Sequence, residues 1–158
     1  MTDTANTDTD QTLQKLLDEC VGILDGHATL GEARQIPKQA LEGLYRLAHQ
    51  RYGQGKFGDA EKVFELLCLY DHIEAKHWCG LGYARQQLKD YGGAIAALSY
   101  ARTIAKEPDP QLYFNFATCL LMMGENDAAK ILLTEMQQQK LSSELAGQVE
   151  AMLAHIDK

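Results

Sequence analysis

The sequence predicts an all-α protein built as a repeating array, and three observations carry that expectation. Small and large apolar residues recur in the same order through residues 41–143. Leucine and alanine outweigh valine and isoleucine, a balance that favours helices over strands. Only three prolines occur, which leaves long stretches free to be helical.

The first unit places Leu44, Leu47, Ala48, Gly55, Phe57, Ala60, Phe64 and Leu67 in large, small and turn positions. Trp78, Leu81, Gly82, Tyr91, Ala94, Leu98 and Ala101 repeat the packing positions 34 residues later. A third unit gives Tyr113, Phe116, Ala117, Gly124, Ala129, Leu133 and Met136, offset by one residue inserted near Asp109. Asn126 departs from the pattern, since the other units have an aromatic residue there. The period and order are those of the tetratricopeptide repeat, so the expected fold is three tandem repeats, 41–74, 75–108 and 110–143, in a superhelical array spanning residues 37–143. Small residues at Ala48, Gly82 and Ala117 let paired helices approach, and Ala60, Ala94 and Ala129 do the same between units.

Each flank carries one further element. Residues 1–10 are rich in threonine and aspartate and predict a disordered tail. Within 11–36, Leu13, Leu16, Leu17, Cys20, Val21 and Leu24 form one apolar stripe that stops near Gly26. That helix needs a cover, either the first repeat or a second copy of the protein, so Leu13, Leu16, Leu17, Val21 and Leu24 are the candidate dimerisation residues. His27 to Ile36 reads as a connector, and Pro37 suits the first turn of the next helix. Asp109-Pro110 starts the third unit. In 144–158, Leu145, Val149, Met152, Leu153 and Ile156 make a capping helix, with Ser142 or Ser143 as its N-cap.

A formal net charge of −7 over 158 residues argues against a nucleic-acid partner, whose binding relies on clustered lysine and arginine. No stretch approaches the roughly 20 apolar residues that span a bilayer, and the start lacks the basic and apolar regions of a signal peptide. A cytoplasmic protein without a membrane partner is expected. Cys20, Cys68, Cys79 and Cys119 lie in helical patterns and read as reduced, apolar packing residues.

Two motifs invite over-reading. Gly53-Gln54-Gly55-Lys56-Phe57-Gly58 matches a dinucleotide fingerprint, but a helix rather than a strand leads into it. Cys68, His72, His77 and Cys79 have the element types of a zinc site with poor spacing, because His77 and Cys79 point differently on one helix. No cofactor, no metal and no catalytic activity are expected.

The residues that packing does not explain lie at positions 2, 5, 9 and 12 of each unit, which face the concave groove of such an array. They are Glu42, Tyr45, His49 and Tyr52, then Lys76, Cys79, Tyr83 and Gln86, then Gln111, Phe114, Thr118 and Leu121. An aromatic, mostly uncharged floor suits an extended peptide, since tyrosine offers an apolar ring and a hydrogen-bonding tip. One leucine-sized anchor contributes about 1.5 to 3 kcal/mol, so two or three support roughly micromolar binding after ordering costs.

Leu44-Tyr45-x-Leu47-Ala48, Tyr52-x-x-Gly55-Lys56-Phe57-x-Asp59-Ala60-x-Lys62-Val63-Phe64, Leu67-Cys68-x-x-Asp71-His72, Gly80-Leu81-Gly82 and Arg85-Gln86 together resemble the class II chaperones of bacterial type III secretion translocators. Ser99-Tyr100-Ala101, Phe114-x-x-Ala117-x-Cys119-Leu120 and Gly124-Glu125 continue the likeness, which covers about residues 35–155. The resemblance implies a cytoplasmic, ATP-independent chaperone that keeps two hydrophobic translocator proteins soluble and apart. It implies that an extended client segment puts proline and leucine side chains into groove pockets. Tyr45, Tyr52 and Phe57 match the family's aromatic groove positions, and self-association through the amino-terminal helix implies a homodimer. His49, Tyr83 and Asn115-Phe116 depart from the residues common in the family.

The alternative is a general tetratricopeptide-repeat scaffold with no secretion role. A clamp for a heat-shock carboxyl terminus is disfavoured, because Tyr45, His49, Gln111 and Asn115 stand where its cations would be.

Overall fold

The computed structural model describes residues 4–107 and 109–156, and among these every regular element is a helix. The order is α1 (Thr4–Leu24), α2 (Leu30–Ala33), α3 (Lys38–Gly53), α4 (Phe57–Tyr70), α5 (Ala75–Gln87), α6 (Tyr91–Ile104), α7 (Pro110–Met122), α8 (Asn126–Gln137) and α9 (Ser143–Ile156). The pairs α3–α4, α5–α6 and α7–α8 are helical hairpins, each closed by a three-residue turn. Every hairpin packs on the next, and α3, α5 and α7 also touch in series.

The three turns share one hydrogen-bond pattern. Lys56, Asp90 and Glu125 donate their N–H to the carbonyls of Arg51, Arg85 and Leu120, the six-to-one bond of a Schellman closure. Such a closure needs a left-handed residue just before the donor. Gly55 (φ 72°) and Gly124 (φ 82°) supply it cheaply, whereas the middle unit uses Lys89 at φ 65°.

The core runs along the array as linked clusters, with Phe64, Leu67, Leu81, Leu98, Leu112, Leu133 and Val149 all buried. Ala48, Ala60, Ala94, Ala117 and Ala129 are wholly buried where helices meet. Gly82 goes further, since a Cβ there would lie 2.6 Å from Leu98 Cγ. Gly80 is held against the Phe64 ring in the same way, and a side chain on it would overlap the ring.

Start signals act as their chemistry dictates. Asp109 accepts from Gln111 N at 2.9 Å with Pro110 in the first turn, and Ser142 Oγ accepts from Leu145 N at 3.3 Å. Leu145 and Val149 then cover Leu132, Leu133 and Met136, so α9 closes the apolar end of the last repeat.

Two expectations are corrected. The backbone is helical from Thr4, so the predicted tail is helix over residues 4–10, while 1–3 lie outside the described residues. Extending a nucleated helix costs far less than starting one, which lets the Leu13–Leu24 stripe carry a polar leader. The predicted connector contains α2, capped by Thr29, which accepts from Glu32 N at 3.1 Å while Glu32 accepts from Thr29 N at 2.9 Å. It packs on α4, where a Cβ on Gly31 would lie 3.0 Å from the Tyr70 carbonyl oxygen.

The first repeat does not cover α1. Leu13, Leu16, Leu17, Val21 and Leu24 are 46–83% exposed, and α1 forms no extended packing with any other helix.

Because Lys89 carries a Cβ into the left-handed region, Lys89→Gly should stabilise the fold by about 0.5 to 1 kcal/mol net of glycine's entropy. That corresponds to a rise of roughly 1–4 °C in Tm by thermal circular dichroism. An unchanged Tm would show that the turn holds Lys89 without strain.

Candidate functional site

The first helices of the hairpins present their groove residues in a common register, and two clefts open among them. The first, of about 640 Å³, lies between α3 and α5 and contains Tyr45, His49, Cys79 and Tyr83. The second, of about 870 Å³, lies between α7 and α9 and contains Phe114, Thr118 and Leu121. Tyr52, Phe57 and Gln86 line neither.

An aromatic stack shapes the first cleft. Tyr45 meets His49 edge-on with ring centroids 4.5 Å apart, and both rest on Phe64 at 6.2 and 5.4 Å. Behind them His77 is 2% exposed, its ring 5.7 Å from Tyr45, and its Nδ1 lies 3.3 Å from the Asp71 carbonyl oxygen. At the rim Lys76 Nζ bonds Glu42 Oε1 at 2.6 Å and sits 4.9 Å from the Tyr45 ring centroid. That pair joins α3 to α5 across the cleft mouth, and the Lys76 bond holds the Glu42 carboxyl below its usual range.

Deeper in, Cys79 and Tyr83 lie together, and burial raises the pKa of both groups, Cys79 to about 11. A thiol so high is protonated at neutral pH and is a packing group rather than a nucleophile. Tyr45 is likewise raised by burial. The cleft thus combines neutral rings and hydroxyls with charged neighbours, among them Lys76, Glu74 and Asp109.

Tyr52 and Phe57 pair with each other instead, with centroids 5.1 Å apart at the α3–α4 corner. Tyr52 also packs onto the first core cluster. Among the described residues no group of three or more His, Cys, Asp or Glu is placed to hold a metal ion.

The sequence reading missed three walls of these clefts. Thr29, Gly31 and Glu32 of the α2 segment close one side of the first cleft, and its signal was present as the Thr29-x-x-Glu32 capping box. The α6–α7 connection, from Ile104 to Glu107 with Asp109, closes another. Met152 and Ile156 of α9 serve both core and second cleft.

The tetratricopeptide repeat signature matches residues 41–72. Low calcium response locus protein H of Yersinia pestis is 37% identical over 138 residues, covering 85% of this chain and 82% of its own. Its kinship decides the family. The chain belongs to the class II translocator chaperones of type III secretion. A type III secretion complex from Aeromonas hydrophila matches with a TM-score of 0.80 and 31% identity over 89% of this chain and 95% of that one. The Yersinia enterocolitica chaperone SycD, solved with a peptide of the translocator YopD, matches with a TM-score of 0.71 and 36% identity over 77% and 95% of the two chains.

In this chaperone the buried His77 imidazole gives the cleft wall a pH dependence. Burial holds its pKa below the usual value, with the Asp71 carbonyl and carboxylate opposing; His49 is lowered too, by the same cause. An unfolded histidine takes a proton near pH 6.5, which the folded sites resist, so the stability present above that pH is lost as pH falls towards the folded values. Tm should drop between about pH 7 and 5, and His77→Gln should flatten the profile. Equal slopes in thermal melts of the two proteins would refute the assignment.

Proposed function

We propose that this protein is an ATP-independent cytoplasmic chaperone, without catalytic activity, that keeps the membrane-active translocator subunits of a type III secretion system soluble before export. It holds an extended client segment in the α3–α5 cleft. The observation that carries this reading is the cleft of about 640 Å³ in which the rings of Tyr45, His49 and Tyr83 and the Cys79 thiol come together, in a chain 36% identical to a chaperone solved with a translocator peptide. Apolar client side chains fill the space between the rings, and tyrosine hydroxyls meet the exposed main chain. No energy source enters this scheme, because an extended segment binds by burying anchors and leaves when a tighter partner takes them.

The second cleft extends the same face and accepts apolar side chains against Phe114, Leu121, Met122 and Met152. Methionine adapts to differing shapes, which suits a protein with more than one client.

The stripe on α1 supports a homodimer. Five exposed apolar residues on one helix face are a large unburied surface for a single helix, and a second copy supplies its self-complementary cover.

Two measurements test this. A synthetic YopD peptide should bind with roughly micromolar affinity by calorimetry, and Tyr45→Ala with Tyr83→Ala should weaken it about 10-fold or more while far-ultraviolet circular dichroism stays helical. Tyr52→Ala should instead act mainly on Tm, since Tyr52 lines neither cleft and pairs with Phe57 at the α3–α4 corner. Retained affinity in the double variant would remove the cleft from the mechanism. Separately, Leu16→Asp with Leu17→Asp should convert a dimer to a monomer in light scattering; an unchanged mass would move the dimer contact elsewhere.

A further inference from the structure

Gln86 stands out among the polar residues of the array. Its Oε1 is enclosed by protein and has no hydrogen-bond partner, although the residue as a whole is only half-buried. It occupies the α5 register that corresponds to Tyr52 on α3 and Leu121 on α7, three residues beyond Tyr83 of the first cleft and in line with Leu121 of the second. Arg85 beside it is engaged with Glu61 and Glu65 of α4, so that neighbour is committed to the scaffold. Gln86 is not.

An enclosed carbonyl oxygen without a donor is unfavourable, and proteins keep such groups rarely. A glutamine side chain has the rotatable bonds to turn its carboxamide outwards, and an amide both donates and accepts. The main chain of an extended peptide has the complementary pair, one N–H and one C=O per residue, left unsatisfied by any secondary structure.

We infer that Gln86 is the backbone-reading group of the groove: its carboxamide turns from the enclosed position to accept from a main-chain N–H of a client crossing between the clefts. This inference rests on the proposed peptide-binding function and names the residue that recognises the peptide's main chain rather than its side chains. The free protein carries an unsatisfied oxygen, and the complex satisfies it. Binding at this point is therefore independent of client sequence, which suits one chaperone serving more than one client. The free fold also gains when the group is removed.

The test combines a variant with altered peptides. Calorimetry with the YopD peptide on the wild type comes first, and no binding there removes the peptide-groove reading and this inference with it. With binding established, Gln86→Leu should keep or raise Tm while weakening the peptide about 2- to 10-fold, the size of one lost neutral hydrogen bond. Peptides in which single backbone amides are replaced by esters lack one N–H each. One of them should lose affinity on the wild type by a similar factor and show no further loss on Gln86→Leu. A fall in Tm would make Gln86 a scaffold residue and overturn the inference, as would unchanged affinity in Gln86→Leu. If Gln86→Leu fails to fold, the ester series on the wild type decides alone: equal binding of all esters removes a backbone-reading group from the groove and leaves the cleft assignment intact.

Discussion

Close approach between helix backbones is the constraint on which the array depends. Ala48, Ala60, Ala94, Ala117 and Ala129 are wholly buried at helix crossings, and Gly80 and Gly82 remove even the methyl group. A solenoid holds only if each hairpin repeats the same spacing to the next, because every unit is stabilised by its neighbours alone. Small residues set that spacing, and the large ones, Phe64, Leu98 and Leu133, fill what remains at crystal-like density.

The same constraint builds the functional face. Phe64 reaches through from α4 because Gly80 leaves room for its ring. Its edge then supports Tyr45 and His49 from below. The groove surface is thus the outer layer of the core, so the rings that meet a client are held in place by residues that never touch it. This coupling is why Tyr45 is both partly packed and still part of the cleft.

Much of the fold was legible in the sequence because its signals are local. The recurring small and large residues, Gly55 and Gly124 in the turns, Asp109-Pro110 and Ser142 each act within a few residues of themselves. Lys89 was not legible as a left-handed residue, since only the geometry shared with the two flanking turns reveals it. The helical state of residues 4–10 depends on propagation from a downstream stripe and not on their own composition. For the groove, register grouped Tyr45, His49, Cys79 and Tyr83, which line one cleft, but did not foresee its other walls. Register fixes the side of a helix, while the walls come from α2, the α6–α7 connection and α9, which lie outside the repeat pattern.

The four cysteines differ in one respect that matters at the bench. Burial holds Cys68 up at about 12 and Cys79 and Cys119 at about 11, so their thiolate fraction at neutral pH is on the order of 10⁻⁴ or less. Cys20 lies exposed on α1. Maleimide chemistry on the native protein consequently has a single ready address, and a fluorophore placed there would watch the amino-terminal helix without engineering any other thiol away.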